Sequence, residues 1–172
     1  MTPSSPAARE LLTIRATPGA PIACNMTDAP DTPQERFAEY GRLFAHALIG
    51  RKRDDQGVEF TFAAKPGVPE WIADLVRREA ACCPFFSYQL RIEGDHLLWR
   101  TGTDAGAAAQ SVLDEFHQLP DHSSGGLEGY FERLNGRGVA IISPSPGRFA
   151  VAADGPSSTP GLLARMKQKC GC

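Results

Sequence analysis

The sequence predicts an α+β domain in which a small antiparallel or mixed sheet carries its helices on one face. In some segments apolar residues recur at spacings of three and four, as they do in amphipathic helices. In others they alternate with polar residues, as they do in half-buried strands. Between residues 33 and 118 the expected order of elements is α-β-α-β-β-α.

The first predicted helix begins at a capping box. Thr32 suits the N-cap, Pro33 suits the first helical position, and Glu35 lies three residues after the cap. Apolar residues follow on one face of this segment. We therefore expect a helix over residues 33–50 that ends at Gly50.

The next two elements are a strand and a second helix. Residues 58–62 alternate between apolar and polar side chains, and a Lys-Pro-Gly turn follows them. The helix is expected to open at Pro69 and to end before Pro84. Its core-facing stripe places a carboxylate and a thiol beside three aliphatic side chains, namely Ile72, Leu75, Val76, Glu79 and Cys83.

A hairpin and a third helix complete the predicted core. The alternating segments 88–92 and 96–101 flank Gly94 and Asp95, which form a two-residue loop. The helix follows over about 105–116 and is expected to end before Pro120. Farther along, the sequence predicts a short helix within 121–136 and brief strands near 139–142 and 149–151.

The prolines and small residues divide the chain into three parts. Residues 1–21 contain four prolines and no apolar periodicity, so we expect a flexible arm. Residues 22–118 form the predicted core domain. Residues 119–172 form a C-terminal extension that ends in a mobile Cys-x-Cys tail.

Charge and hydropathy exclude several classes of function. The formal net charge is −2, which gives the chain no general attraction to nucleic acid or to an anionic membrane. No apolar run reaches the roughly 18 residues that a transmembrane helix needs, and the N-terminus lacks the apolar core of a signal peptide. We expect a cytoplasmic protein with neither nucleic acid nor membrane as its partner.

The cysteines carry the clearest chemical signal. There are five, of which four form two tight pairs and one, Cys24, stands alone; this odd count is unlike the disulfide framework of a secreted protein. Cys82 and Cys83 are adjacent at a predicted helix end, and Glu79 lies one turn before them. Because the C-terminal end of a helix is electronegative, it raises thiol pKa values, so these thiols need a metal or a nearby cation to ionise.

The second cluster is the terminal pair Cys170 and Cys172. Lysines at 167 and 169 precede it and favour the thiolate form. A flexible dithiol of this kind is suited to capturing a soft cation and passing it to an inner site, or to acting as a resolving redox pair.

Four segments together resemble small bacterial proteins and domains often associated with mercury-resistance-type regulators. The resemblance covers about 24–118, and its marks are an early lone cysteine, an arginine in the following helix, an alternating strand and an E-x-x-C-C-x-F segment, found here at 22–27, Arg36, 57–62 and 79–86. The terminal Cys-x-Cys is similar to the mobile C-terminal thiol pair of mercuric reductase. The cysteines with Glu79 or Asp28 are similar in residue type to the set that cleaves carbon–mercury bonds in organomercurial lyase.

The resemblance implies that Cys24 brings a third sulfur from a short strand to the helix end. Three thiolates suit a soft ion such as mercury, zinc or copper. The implied metal ligands are Cys24, Cys82, Cys83, Cys170 and Cys172, and the implied catalytic residues of a lyase-like reaction are Glu79 and Cys83. The expected cofactor is thus a soft metal ion, and the expected partner is that ion or a small thiol-reactive ligand.

Two alternatives stay open. The first alternative, ranked after soft-metal binding, is a thiol/disulfide redox protein or sensor, in which Cys24 or a tail cysteine pairs with Cys82 or Cys83. The chain is also readable as a module that binds a small apolar ligand between sheet and helices, with the pocket formed by aromatic side chains, namely Trp71, Phe85, Phe86, Tyr88 and Trp99.

Overall fold

The computed structural model describes residues 8–122, 126–137, 140–145 and 148–152. It confirms the predicted α+β class. The elements in chain order are β1 (Arg9–Ile14), β2 (Ala23–Asn25), α1 (Pro33–Ala47), β3 (Leu48–Asp54), β4 (Gly57–Ala63), α2 (Val68–Cys82), β5 (Ser87–Glu93), β6 (His96–Gly102), α3 (Ala107–His122), α4 (Gly126–Gly136), β7 (Ala140–Ser145) and β8 (Arg148–Ala152).

The main sheet has five strands in the order β1-β5-β6-β4-β3, and every neighbouring pair is antiparallel. Its centre is the predicted strand β4 beside the predicted β5–β6 hairpin. In register across these strands, Phe60 lies opposite Trp99, and Trp99 lies opposite Leu90. All three side chains are fully buried, so this face of the sheet forms the floor of the core.

The helices cover that floor. Phe44 of α1 packs on Phe60, and Phe116 of α3 meets Phe60 edge-on with ring centroids 5.1 Å apart. The apolar stripe of α2, represented by Ile72, is fully buried as well. The opposite face of the sheet carries charged side chains, among them Glu59, which pairs with Lys52 and Arg91.

The predicted helix starts are confirmed at α1. The Thr32 hydroxyl accepts the backbone N–H of Glu35 at 3.2 Å, and the Glu35 carboxylate accepts the backbone N–H of Thr32 at 2.8 Å. The predicted end at Gly50 is wrong, because α1 stops at Ala47 and the chain continues as β3. Pairing of β3 with β4 satisfies backbone groups that an extended α1 would have bonded internally.

Two further boundaries differ from the sequence-based prediction. Residues 9–14, expected in a flexible arm, form edge strand β1 against β5. Helix α3 continues through Pro120 to His122 instead of ending before the proline. In both places tertiary contacts outweigh the local sequence preference.

A second sheet of three strands, in the order β2-β8-β7, holds the segment that contains Cys24. Strand β2 pairs antiparallel with β8, and β8 with β7. The predicted brief strands near 139–142 and 149–151 correspond to β7 and β8. None of the described helices is long and apolar enough to span a bilayer.

Candidate functional site

Cys24 and Cys83 form a disulfide that joins β2 to the end of α2. Their Cα atoms lie 4.7 Å apart although 59 positions separate them in sequence. Cys83 is the C-cap of α2 and is buried, whereas Cys24 is only half-buried. Cys24 is thus the more exposed residue of the pair.

Cys82 is the free cysteine among the described residues, and its side chain is buried. Burial raises the pKa of its thiol, and the negative charge of Glu79 raises it further. Arg36 acts in the opposite direction through its charge and a hydrogen bond, but the first two effects prevail. Near neutral pH Cys82 is thus a neutral thiol. The sequence predicts this direction from the helix end, whereas burial and Glu79 cause it here.

Glu79 is fixed by a buried arginine. Arg36 donates from Nη1 to Oε1 of Glu79 at 2.6 Å, and its Nε and Nη2 form a two-pronged ion pair with the Asp31 carboxylate, both at 2.6 Å. Burial alone would lower the pKa of Arg36, but the two carboxylates raise it above its ordinary value. The guanidinium stays charged and holds Glu79 beside the cysteines.

A second arginine extends this ion network. Arg78 donates to Asp31 at 2.8 Å and to Glu39 at 2.8 and 2.9 Å. Glu39 also accepts the indole N–H of Trp71 at 2.8 Å. Burial opposes ionisation of Asp31 and Glu39, yet the arginines lower the pKa of both carboxyl groups. The network ties α1 to α2 where the cysteines meet.

A cavity of about 110 Å³ opens at this junction. At one end lie the disulfide, the Cys82 thiol, Glu79 and Arg36. The remainder is lined mainly by apolar and aromatic side chains of α1, α3 and α4, including Phe37, Phe116, Leu127 and Phe131. Reactive and polar groups thus occupy one end of an otherwise apolar space.

Tyr40 of α1 carries a hydroxyl that is closed off from the open space of the cavity. Its side chain lines the cavity one helical turn after Arg36 and is 5% exposed. The ring packs edge-on against Phe116, while the hydroxyl oxygen has no hydrogen-bond partner in the described part of the chain. Burial raises its pKa well above the ordinary value, and the charge of Glu79 adds to this effect.

Helix α4 closes the cavity and is anchored by a buried carboxylate. Glu115 of α3 is 1% exposed and accepts from Arg133 at 2.8 Å and from Arg137 at 2.7 Å. On the cavity side, Tyr130 of α4 lies 6.1 Å from the ring of Phe37. These contacts fix the wall that Leu127, Tyr130 and Phe131 provide.

No protein-family model, curated protein or solved structure matches this chain.

The structure brings four of the predicted site residues together, namely Cys24, Glu79, Cys82 and Cys83. Asp28, the alternative carboxylate, lines a neighbouring surface pocket instead. Cys170 and Cys172 lie outside the described residues. Within the described ranges, no group of three or more His, Cys, Asp or Glu side chains is arranged to hold a metal ion. As a disulfide, Cys24 and Cys83 offer no thiolates, so a metal site on them requires reduction first.

Two residues of the site, Arg36 and Tyr40, have no chemical role in the sequence-based prediction. Arg36, a mark of the resemblance, is 4% exposed because two carboxylates neutralise it. Tyr40 is part of the cavity wall. None of the five aromatic residues expected to form a ligand pocket lines this cavity, and two of them, Trp99 and Phe85, are buried in the core. An arginine four positions before a tyrosine on the apolar face was the available signal.

Proposed function

We propose that this protein is a thiol–disulfide redox protein whose reactive pair is Cys24 and Cys83. One observation carries the proposal: the disulfide lines a cavity together with a free thiol, Cys82, and a carboxylate, Glu79. A disulfide with a purely structural role has no need of these neighbours or of a space beside it.

The reaction is an exchange with a thiol reductant, written RSH. Its thiolate attacks the sulfur of half-buried Cys24, the Cys24–Cys83 bond breaks, and a mixed disulfide of R with Cys24 forms while Cys83 leaves as a thiolate. A second RSH attacks the sulfur of R, releasing RSSR and the Cys24 thiolate. Two thiols thereby supply two electrons, and the protein ends as a dithiol.

Glu79 is suited to moving the proton in the first step. It lines the cavity, so it is available to accept the proton of an entering thiol and to return it to the departing Cys83 sulfur. Cys82 meanwhile stays protonated, because burial and Glu79 raise its pKa. Because a protonated thiol is a poor nucleophile, Cys82 does not attack the disulfide and take the place of Cys83. Exchange is therefore confined to Cys24 and Cys83.

The decisive experiment is a redox titration of the chain with Cys82→Ser, Cys170→Ser and Cys172→Ser. The protein is equilibrated in dithiol buffers and its free thiols are trapped and counted by mass spectrometry. We expect a midpoint potential above about −300 mV, within reach of cellular thiol pools. A midpoint well below that value would make the disulfide structural and would overturn the proposal.

A pH profile tests the role of Glu79. With Glu79→Gln, reduction by a neutral thiol is expected to slow by at least about tenfold near pH 6, where the reductant must lose its proton, and to match the parent near pH 9. Glu70→Gln, on the first turn of the same helix, is the matched control and should leave the profile unchanged. Equal slowing at both pH values would point to a structural role for Glu79 instead.

A second candidate function is soft-metal binding by the reduced protein. The observation that favours it is that Cys24, Cys82 and Cys83 all line one cavity, and the resemblance to mercury-resistance-associated domains makes Hg(II) the first ion to test. Native mass spectrometry of the reduced Cys170→Ser/Cys172→Ser chain should show one Hg(II) per chain, lost in Cys24→Ser/Cys83→Ser. An adduct that persists without Cys24 and Cys83 would exclude this site. A stoichiometric adduct that is lost with these two cysteines would justify a test of lyase-like turnover on methylmercury.

We also propose a cytoplasmic location, where low-molecular-weight thiols maintain the reducing pool that this exchange needs. Fractionation with thiol trapping tests this location. Recovery of the protein only from an oxidising compartment would contradict it.

A further inference from the structure

We infer that the cavity binds a small aromatic thiol, or the disulfide formed from it, with the ring among α1, α3 and α4 and the sulfur at Cys24–Cys83. The location of the binding site and its selectivity for a ring are inferred from the cavity itself. The identity of the sulfur group rests on the proposed function.

The size and lining of the cavity limit the occupant to about one ring. Its volume of about 110 Å³ is comparable to the roughly 150 Å³ of an apolar cavity that holds benzene, and well below the roughly 300 Å³ at which drug-sized sites begin. Aromatic side chains from three helices line it, including Phe37, Phe116 and Phe131. A planar ring can make edge-on and tilted contacts with such walls, as Tyr40 and Phe116 already do with each other.

Tyr40 does not offer a ligand in the cavity a polar contact. Its hydroxyl is unpartnered in the described part of the chain, but it is fully buried and closed off from the open space of the cavity. A ring in the cavity therefore meets mainly apolar and aromatic walls, and the lining does not favour a polar substituent over a plain hydrocarbon ring.

The charges at the sulfur end select against anionic ligands. Arg36 uses three of its five N–H donors on Asp31 and Glu79, and these two carboxylates neutralise its charge, so it offers a ligand carboxylate no uncompensated positive charge. The remaining walls are apolar, so a charged substituent would be buried there without compensation. The expected substrate is an uncharged aromatic thiol whose sulfur reacts while its ring stays in the cavity.

The first arm of the test measures binding to the oxidised full-length chain with phenol and toluene, which have no reactive sulfur. We expect both probes to bind, and toluene at least as tightly as phenol, because the walls that a ring can reach are mainly apolar and aromatic. Leu127→Trp, which fills the cavity, should abolish both interactions, while Ile49→Trp on the exposed surface should not.

Failure of phenol and toluene to bind, or binding that Leu127→Trp does not change, would overturn the site. This result is independent of the redox proposal, since neither probe exchanges with a disulfide.

The second arm compares two aromatic thiols as reductants of Cys24–Cys83 at equal concentration of the protonated thiol group. Benzenethiol is expected to react at least about tenfold faster than 4-sulfanylbenzoate, whose carboxylate the apolar walls exclude. Leu127→Trp should remove the difference. Equal rates in the parent chain would overturn the proposed substrate class. Failure of the redox proposal itself is read separately, from the midpoint potential.

Discussion

Cys82 shows how the surroundings of one residue determine its chemistry. The thiol is adjacent to a disulfide cysteine, yet burial and the charge of Glu79 raise its pKa. Arg36 lies close enough to lower that pKa, but its positive charge is shared with Asp31 and Glu79. A cation near a thiol therefore does not by itself make the thiol reactive.

Cys82 should accordingly react slowly with alkylating agents. In the oxidised Cys170→Ser/Cys172→Ser chain, we expect iodoacetamide to alkylate Cys82 more slowly at pH 7 than it alkylates N-acetylcysteine. The alkylation rate should increase only when the pH exceeds the ordinary pKa range of thiols. Glu79→Gln removes one cause and should increase the rate at pH 7. Peptide mass spectrometry over a pH series measures this. A rate at Cys82 that equals that of the free thiol would contradict the assignment.

At the scale of elements, β3 and β4 illustrate how a charged segment becomes a strand. Residues 48–54 carry no apolar alternation, but pairing with β4 satisfies their backbone, and Arg53 reaches across to Asp114 of α3 at 2.9 Å. Charged side chains are typical of edge strands, where they discourage pairing with other chains. The charged residues of 48–54 thus indicate a position at the edge of the sheet more clearly than they indicate a strand.

Gly57, where β4 begins, provides a prediction at this scale. A Cβ placed there would collide with the carbonyl oxygen of Thr101 on β6, so Gly57→Ala must push two paired strands apart. We expect a loss of about 1–3 kcal/mol in the free energy of unfolding. Gly50→Ala in β3 is the matched control, since a Cβ there meets nothing within 4 Å. Urea denaturation of both variants measures the difference, and equal stabilities would refute the steric argument.

At the scale of the whole molecule, the disulfide links distant parts of the chain. It closes a loop across 59 positions that contains α1, β3, β4 and α2. According to the chain-entropy model, removing such a link lowers the free energy of the unfolded chain by about 4 kcal/mol. Reduction would thus lower the global stability, a coupling between redox state and fold.

We therefore expect Cys24→Ser/Cys83→Ser to be less stable than the oxidised parent by up to about 4 kcal/mol, and similar to the reduced parent. Urea denaturation with and without reductant measures both comparisons. The Cys170→Ser/Cys172→Ser chain serves as the control and should respond to reductant as the parent does. If reductant does not change the free energy of unfolding of the parent, the disulfide does not constrain the unfolded chain.

Acid stability is the second property of the whole molecule that the site determines. The folded-state pKa values of Asp31 and Glu39 lie below their ordinary values of 3.8 and 4.5. These carboxylates therefore stabilise the fold fully above that range, and their contribution is lost as the pH falls through it toward the folded-state values.

Asp31→Asn tests this directly. It leaves buried Arg36 with Glu79 alone, so we expect a loss of about 2–4 kcal/mol at pH 7 and a weaker dependence of stability on pH as the pH falls through the ordinary aspartate pKa of 3.8. Asp95→Asn, an exposed residue of the β5–β6 turn, is the control. Denaturation curves at several pH values measure the dependence. Parallel pH profiles for Asp31→Asn and the parent would contradict the role of Asp31.

The sequence by itself determined the elements whose signals are local. The capping box at Thr32, the alternation in β4 and the loop at Gly94 and Asp95 each act within a few residues, and each is confirmed. The helical stripe of α2 is confirmed for its aliphatic residues, such as Ile72 and Leu75, whereas Cys83 reaches the core as the C-cap beyond the helix end.

Only the tertiary structure decided which distant residues meet. Strand β1, the early end of α1 at Ala47 and the continuation of α3 through Pro120 all depend on contacts with other elements. The pairing of Cys24 with Cys83, the burial of Arg36 between two carboxylates and the unpartnered hydroxyl of Tyr40 arise in the same way. The physical reason is that hydrogen bonds across a sheet, ion pairs and disulfides join groups far apart along the chain, and local periodicity carries no information about such partners.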